Sequence, residues 1–411
     1  MIASKNLPFE EPLLRELAET YGTPLYIYDE AGIRRSAKVL KEAFAWSKGY
    51  VNYFAVKATP TPAILKLLAE EGMGFDCSSA AELALVKQGG WNGRRVFYTS
   101  NNTPDEDYRY AQELGAVINL DKLPYLEQVA KAVGGYPSRM AIRYNPGGEG
   151  GNDIIGRPGD SKFGDTEDHV LKALEKMRSG GVSEIGLHAM VASNERDPAA
   201  FGRIAELLRR LAERAAAELS LGLSFINLGG GVGIPYRPEE EPTDIAAIGQ
   251  AAKTSLSPLN IPVYTECGRF VTGPNGYLLT AVTHGVVESY RRFLTVDTSI
   301  NNLCRLSSAG PDVYHHVSAL GKKTKETKEV TVVGSMCVNS DRMFKDRSLP
   351  ADIKRGDLLV VHDVGAHGRA NSTNYNGRLR CGEVLVRTDG SHKLIRRHEN
   401  FNDLFATVEG L

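Results

Sequence analysis

The feature that most constrains the fold of this chain is a repeated alternation of apolar runs with helical segments between residues 34 and 280. Eight runs rich in β-branched and aromatic residues are typical of strands, namely residues 51–56, 74–79, 95–100, 116–120, 139–145, 183–191, 223–230 and 262–267. The clearest intervening helix is FGRIAELLRRLAERAAAEL, residues 201–219. This α/β pattern over about 250 residues favours a closed (β/α)8 barrel over an open parallel sheet.

The two ends of the chain lack this alternation of strands and helices. Five apolar runs follow one another without helices between them, at residues 277–287, 291–298, 328–337, 356–365 and 382–390. Another candidate strand, TPLYIYD, lies near the N-terminus, after an acidic amphipathic helix with no signal-peptide character. We therefore predict a barrel over residues 34–280 and a β domain, a sandwich or small barrel, built from residues 1–33 and 281–411.

Composition excludes several classes of protein. The 49 basic and 50 acidic residues leave a net charge of −1, which argues against a nucleic-acid partner. The five cysteines are widely spaced without a CxxC, so we expect neither a disulfide framework nor a metal site, and a reducing cytoplasm as the compartment. No apolar run approaches the roughly 18 residues of a membrane span.

Polar residues follow several of the predicted barrel strands, where barrel enzymes carry their chemistry. Lys57 ends the first strand among apolar neighbours, and is either an amphipathic lysine that snorkels or a desolvated Schiff-base lysine. Gly229, Gly230, Gly231 and Gly233 follow a later strand and could direct backbone N–H groups at an anion. No acidic residue lies at the spacing of a dinucleotide site, so a single phosphate fits better.

Two further segments carry candidate functional groups. Glu266 and Arg269 flank Gly268, where the arginine could bind a phosphate and the carboxylate a protonated ring nitrogen, unless they form an ordinary ion pair. Cys337 and Asp341 lie in a polar loop after a strand. The cysteine is either a small buried apolar residue or a proton donor or nucleophile.

One cofactor would use all of these groups. Tyr375 lies among turn-forming residues, where its side chain could also bind an anion. A lysine, a glycine-rich turn, an arginine for the phosphate and a glutamate for a ring nitrogen are what pyridoxal phosphate requires.

The motifs YFAVKAT, GFDCSSAAEL, SKFG, LGGGVGI, ECGR, CVNSD and GAHGRANSTNYNGRLRCGEVLV resemble those of the fold-type III pyridoxal-phosphate decarboxylases. The resemblance covers nearly the whole chain. The last motif is most similar to the diaminopimelate decarboxylase branch, and GLHAMVASNE and HDVGAHG to a sub-branch that includes D-ornithine/D-lysine decarboxylases. It implies an alanine racemase-like barrel with a C-terminal β domain, bound pyridoxal 5'-phosphate, and a homodimer with shared active sites.

The resemblance also implies roles for individual residues. Lys57 would form the internal aldimine with Asp76 nearby, and Glu266 would keep the pyridine nitrogen protonated. Cys337 would come from the second subunit and protonate the carbanion left when CO2 departs. The residues that would bind the phosphate or lie beside the cofactor are Gly230, Gly231, Gly268, Arg269, Tyr375, Ser193, His188 and Met190. The candidate substrate-binding residues are Arg305, Cys337, Val338, Asp341 and Tyr375.

The chain departs from the family pattern at four positions. Met190 stands where many relatives have the second histidine of GLHxH, so that only His188 remains. Val338 replaces the acid that follows the loop cysteine, and it cannot pair with a distal ammonium. Arg305 is kept without the proline that follows it in relatives, and His367 replaces a tyrosine. The distal half of the substrate is therefore expected to be bound differently.

We predict an α-decarboxylase of an amino acid. A D-configured reacting centre ranks first as substrate, a modified amino acid second, and L-ornithine or L-arginine third, because the acid after Cys337 is missing. Two alternatives stay open, an amino-acid racemase on the same fold and a non-catalytic homologue. A nucleotide-dependent dehydrogenase is more remote, and His315 and His316 are interpreted as surface residues or ligands.

Overall fold

The computed structural model describes residues 5–149, 156–308 and 313–410. The remaining positions of the predicted domains, at 1–4, 150–155, 309–312 and 411, lie outside the described residues. The chain divides into two compact units. The barrel unit comprises residues 34–234 and 243–271, and the β unit comprises residues 1–33, 235–242 and 272–411.

The described helices and strands follow the predicted order closely. The helices are α1 (Glu11–Tyr21), α2 (Glu30–Ala43), α3 (Pro62–Glu70), α4 (Ala80–Gln88), α5 (Asp105–Glu113), α6 (Tyr125–Val133), α7 (Glu167–Ser179), α8 (Pro198–Leu219), α9 (Ile245–Leu256), α10 (Arg269–Thr272), α11 (Arg305–Ser308) and α12 (Phe401–Phe405). The strands are β1 (Leu25–Asp29), β2 (Val51–Ala55), β3 (Gly74–Cys77), β4 (Val96–Ser100), β5 (Val117–Leu120), β6 (Arg139–Tyr144), β7 (Glu184–Ala189), β8 (Phe225–Asn227), β9 (Val263–Thr265), β10 (Gly276–Glu288), β11 (Arg292–Val296), β12 (Val317–Ala319), β13 (Thr327–Val333), β14 (Arg342–Pro350), β15 (Leu358–Val361), β16 (Gly382–Val386) and β17 (His392–Arg396).

The barrel unit is a closed parallel barrel of eight strands in the order β2 to β9, which confirms the predicted fold class. Closure comes from β9 pairing with β2, where Val51 lies opposite Tyr264 and Asn52 opposite Thr265. A helix lies between each pair of consecutive barrel strands, as expected for strands that must all run in one direction.

Aromatic rings fill one layer of the barrel interior. Tyr53 lies 4.4 Å from Phe97, and Phe225 lies 5.0 Å from Tyr264, measured between ring centroids. A Cβ added at Gly186 would lie 2.0 Å from the Phe225 ring, so a glycine is needed there. Because side chains in a strand alternate between its two faces, residues two positions later also face the interior, one layer nearer the carboxyl ends of the strands.

The β unit is a mixed nine-stranded sheet in which β10 is central. β1 pairs antiparallel with β10 and parallel with β16, so the N-terminal strand completes a sheet made otherwise of C-terminal strands. Leu14 and Leu17 of α1 are buried in the core of this sheet. All five predicted C-terminal strands are confirmed, whereas β12, β14 and β17 were not predicted. Across the described ranges, no helix combines the length and apolar character needed to span a membrane.

Candidate active site

A second, polar layer lies above the aromatic one, at the carboxyl ends of seven consecutive barrel strands. Each member stands two positions after a residue of the lower layer, as Asn227 follows Phe225 and Glu266 follows Tyr264. The members of this polar layer are Asp76, Thr99, Asn119, Arg143, His188, Asn227 and Glu266. Most of them are almost fully buried, so their charges and hydrogen bonds have strong effects on one another.

The Glu266 carboxylate is bound at both oxygens. His188 Nε2 donates to Oε2 at 3.2 Å, and Asn227 Nδ2 donates to Oε1 at 2.8 Å. Burial raises the pKa of Glu266, but the positive potential and hydrogen bond of His188, the charge of Lys57 and the Asn227 amide together hold it below its ordinary value. Glu266 is therefore ionised at neutral pH.

The second carboxyl group of the layer behaves in the opposite way. Burial and the charge of Glu266 raise the pKa of Asp76 well above its ordinary value, and the opposing effects of Lys57 and Thr99 do not compensate. The pKa values of two carboxyl groups of one layer are thus shifted in opposite directions. Such a separation is typical of sites that both hold and deliver protons.

Lys57 lies in a short 3-10 turn over Val56–Ala58, directly after β2. The interpretation of Lys57 as a desolvated residue within an apolar strand is wrong, because the turn exposes its side chain while Val56 and Ala58 stay buried. The ammonium nevertheless lowers the pKa of both Asp76 and Glu266, so it lies within electrostatic reach of the polar layer.

The glycine-rich turn after β8 packs its backbone against two neighbouring strand ends. Gly229 has a φ of +67°, and a Cβ there would lie 2.3 Å from the carbonyl oxygen of Ala189. A Cβ at Gly230 would lie 2.7 Å from the carbonyl oxygen of Glu266. The glycines are therefore needed first for the close approach of protein backbone. Gly230 N–H donates to Met190 Sδ at 3.2 Å, so this thioether contacts the turn directly.

The remaining candidates of the barrel unit lie at neighbouring strand ends. Arg269 is half-buried and begins the four-residue helix α10 directly after Gly268. A Cβ at Gly268 would lie 2.7 Å from the Cβ of Ala58, so this glycine allows the end of β9 to approach the turn that carries Lys57. Ser193 is half-buried in the segment between β7 and α8.

The other candidates belong to the β unit. Cys337 is exposed, so the alternative that it is a small buried apolar residue is wrong. Its backbone N–H donates to Asn376 Oδ1 at 2.7 Å, next to Tyr375, whose side chain is 58% exposed. Asp341 is buried and accepts from the backbone N–H groups of Ile300 and Met336 at 2.8 Å, so it holds the cysteine loop. Val338 in the same loop is half-buried.

Arg305, at the start of α11, is also buried in the β unit. Its Nη1 donates to His315 Nε2 at 3.0 Å, and its guanidinium carbon lies 4.2 Å from the centre of the Tyr236 ring. The interpretation of His315 and His316 as surface residues is wrong, because they are only 1% and 6% exposed.

The polar layer fits pyridoxal phosphate. Among the described residues, Asp76 Oδ1, Asn119 Oδ1 and His188 Nδ1 are buried without a hydrogen-bond partner, which is unusual for a native interior and typical of a site that binds a polar ligand. An exposed lysine, an ionised carboxylate, a glycine turn and an arginine are the groups this cofactor requires. Sequence reasoning missed Asn227, although its place two residues after Phe225 was a usable signal.

Comparisons with known proteins agree with this arrangement. The family model for the pyridoxal-binding domain of pyridoxal-dependent decarboxylases matches residues 30–273. The chain is 38% identical to protein TabA of Pseudomonas amygdali pv. tabaci, over 95% of this chain and 92% of that protein. It is 35% identical to diaminopimelate decarboxylase of Methanothermobacter thermautotrophicus, over 95% of this chain and 92% of that enzyme. The crystal structure of diaminopimelate decarboxylase from Helicobacter pylori complexed with L-lysine has a TM-score of 0.87 and 26% identity, covering 95% of this chain and 98% of that one.

Proposed function

The chain belongs to the pyridoxal-dependent decarboxylases, in the diaminopimelate decarboxylase branch, and we propose that the polar layer of its barrel is the active site of this amino-acid decarboxylase. Pyridoxal 5'-phosphate, when bound, takes up the electron pair that CO2 leaves on the substrate Cα. The observation that carries the residue assignments is the buried, ionised Glu266 within electrostatic reach of the exposed Lys57.

Within this proposal each residue has a separate task. Lys57 binds the cofactor covalently, and Glu266 holds a proton on the ring nitrogen because the carboxylate stays ionised in a buried place. The glycine turn and Arg269 bind the phosphate. His188 keeps Glu266 charged through the hydrogen bond to Oε2.

The experiment for this assignment is Lys57→Ala, followed by the visible absorption spectrum of the purified protein. We expect the band of the lysine-bound cofactor to disappear and decarboxylation to be lost. Lys66→Ala is the matched control, since Lys66 is an exposed lysine on α3. An unchanged spectrum of bound cofactor in Lys57→Ala would overturn the assignment.

For the substrate we propose an amino acid with a D-configured reacting centre, or else a modified amino acid. Val338 supports a modified amino acid and argues against L-ornithine, because a neutral β-branched side chain offers no partner to a distal ammonium. The D-configured centre is supported by the resemblance of GLHAMVASNE and HDVGAHG to the sub-branch that includes D-ornithine/D-lysine decarboxylases. A screen of CO2 release over D- and L-amino acids tests it directly. Release from L-ornithine at the highest rate of the screen would overturn the proposed role of Val338.

We also propose a homodimer in which Cys337 of one copy returns a proton to Cα at the barrel of the other, in a reducing cytoplasm. Support comes from the exposure of Cys337 and Tyr375 and from five free cysteines. Mixing unfolded Lys57→Ala and Cys337→Ala chains and refolding them together should restore about a quarter of wild-type activity, because half of the dimers would carry one intact site. No recovery, with dimers present, would contradict the shared site.

A further inference from the structure

Asn227 occupies the junction between the glycine turn and the Glu266 carboxylate. It is the last residue of β8, is fully buried, and stands opposite His188 of β7 in the barrel register. Resting on the proposed function, we propose that Asn227 is a positioning residue that fixes the carboxylate for the ring nitrogen relative to the turn for the phosphate. It acts through these two groups and does not itself react.

The hydrogen bonds around Asn227 form a closed ring. Its Nδ2 donates to Glu266 Oε1 at 2.8 Å, and its Oδ1 accepts from Gly229 N–H at 2.9 Å. The ring closes because Glu266 N–H donates to the Gly229 carbonyl at 2.7 Å. Two of these hydrogen bonds join the ends of two adjacent strands, and the third ties Asn227 to the turn. A displacement of the turn would have to displace the carboxylate as well.

An amide satisfies both partners of the side chain. A carboxylate accepts only and a backbone N–H donates only, so the side chain must present one donor and one acceptor at a fixed separation. An aspartate has the same shape but no donor when ionised, and would set a second charge beside Glu266. A serine could still accept from Gly229 N–H but is too short to reach the carboxylate.

Asn227 and His188 have different effects on the same carboxylate. His188 supplies the positive potential that keeps Glu266 ionised, whereas the amide of Asn227 is neutral and directional. Loss of the amide should therefore alter where the carboxylate points more than whether it is charged. This division makes the role of Asn227 separable from that of His188.

The test compares Asn227→Asp, Asn227→Ser and Asn227→Ala in the full-length protein, by the dissociation constant of pyridoxal phosphate and its visible spectrum against pH. At pH 8 we expect about 10- to 100-fold weaker binding in all three, as for one lost hydrogen bond to a charged group. In Asn227→Asp alone, binding should recover as the pH falls, since the introduced carboxyl group regains a donor when it is protonated. Glu266 contacts Asn227 directly, and the titratable groups that interact electrostatically with Glu266 are His188, Lys57, Asp76 and Arg143.

The outcomes separate this inference from the proposed function. Asn227→Ser adds no buried charge, so it keeps the test valid if Asn227→Asp fails to fold. Wild-type affinity in Asn227→Ser, or equal pH dependence in Asn227→Asp and Asn227→Ala, would overturn the positioning role. If Lys57→Ala leaves the spectrum of bound cofactor unchanged, the proposed function itself is wrong, and this result does not depend on the Asn227 variants.

Discussion

The barrel unit and the β unit each bury a cluster of charged and polar side chains, and the two clusters are built in different ways. The polar layer of the barrel takes one residue from each of seven consecutive strands, always two positions after an inward-facing residue. The cluster of the β unit, which we call the Arg305 cluster, takes its members from distant segments. They are Lys5, Tyr236, Arg305, His315, His316, His362 and Asp363.

The Arg305 cluster places a neutral imidazole against a guanidinium. His315 Nδ1 donates to the His362 carbonyl at 2.9 Å, so its Nε2 carries no proton and accepts from Arg305. The Tyr236 ring stacks on the same guanidinium. The barrel layer thus sets the charge of a carboxylate, and the Arg305 cluster sets the orientation of a cation. We expect substitutions in the first to affect the rate of reaction, and substitutions in the second to affect stability and substrate fit.

Removing the charge of Glu266 should have the largest effect. Glu266→Gln keeps the shape of the side chain but loses the negative charge, so the proton on the cofactor ring is no longer held. We expect kcat to fall about 10²- to 10³-fold, as for loss of one preorganised electrostatic contact. The measurement is CO2 release at saturating substrate. Glu218→Gln, on the exposed end of α8, is the control and should change kcat by less than about twofold.

If the kcat of Glu266→Gln stays within threefold of the wild-type value, the proposed difference between the two clusters is wrong, because the polar layer would then not set the rate. Glu266 would in that case be one more buried carboxylate held by structural hydrogen bonds.

The second prediction concerns Asp363, where burial raises the pKa to about 6 despite the ion pair with Lys5. Between its ordinary pKa and 6 this carboxyl binds a proton only in the folded protein, so its stabilising effect is present at low pH and is lost as pH rises through 6. Burial lowers the pKa of His316 to about 4 and of His362 to about 3. Each of these histidines therefore contributes a free energy of unfolding that increases as pH rises, opposite to the effect of Asp363.

The free energy of unfolding, measured by urea at pH 4.5 to 7.5, should therefore rise with pH in the wild type and rise more steeply in Asp363→Asn. We expect the two curves to diverge by about 2 kcal/mol across this range. Parallel curves would show that the pKa of Asp363 is not raised in the folded protein, and that burial in the Arg305 cluster does not disfavour its charged form.

The two clusters also differ in how far the sequence predicts them. The barrel, its eight strands and residues such as Glu266 could be predicted because alternation within a strand is a local signal. The environment of His315 could not be predicted, because its partners are residues 236, 305 and 362, which lie far apart along the chain. Lys57 illustrates a third case, in which the strand was predicted but its sequence left two alternatives open for the burial of the lysine, and the 3-10 turn after the strand decided between them.

The third prediction addresses the orientation of Arg305. His315→Phe keeps a ring of similar size but removes the acceptor for Nη1, so the guanidinium loses one of the contacts that orient it. If Arg305 binds the distal part of the substrate, KM should rise about tenfold, the cost of roughly one hydrogen bond to a charged group, while kcat stays within about twofold. His284→Phe, at an exposed position of β10, is the matched control. An equal fall in kcat and kcat/KM would show that the Arg305 cluster affects the rate of reaction, as the polar layer does, and not the binding of substrate.

The smallest effect is expected at Met190, which joins the polar layer to the glycine turn by a weak contact. Met190→Leu keeps the apolar volume and removes the sulfur that accepts from Gly230 N–H. Sulfur is a weak acceptor, and Gly229 is held independently by Asn227, so the cofactor affinity should fall no more than about threefold. A fall above tenfold, in a variant that unfolds at the wild-type temperature, would show that the thioether itself positions the turn. The ring around Asn227 would then hold only the Glu266 side of the site.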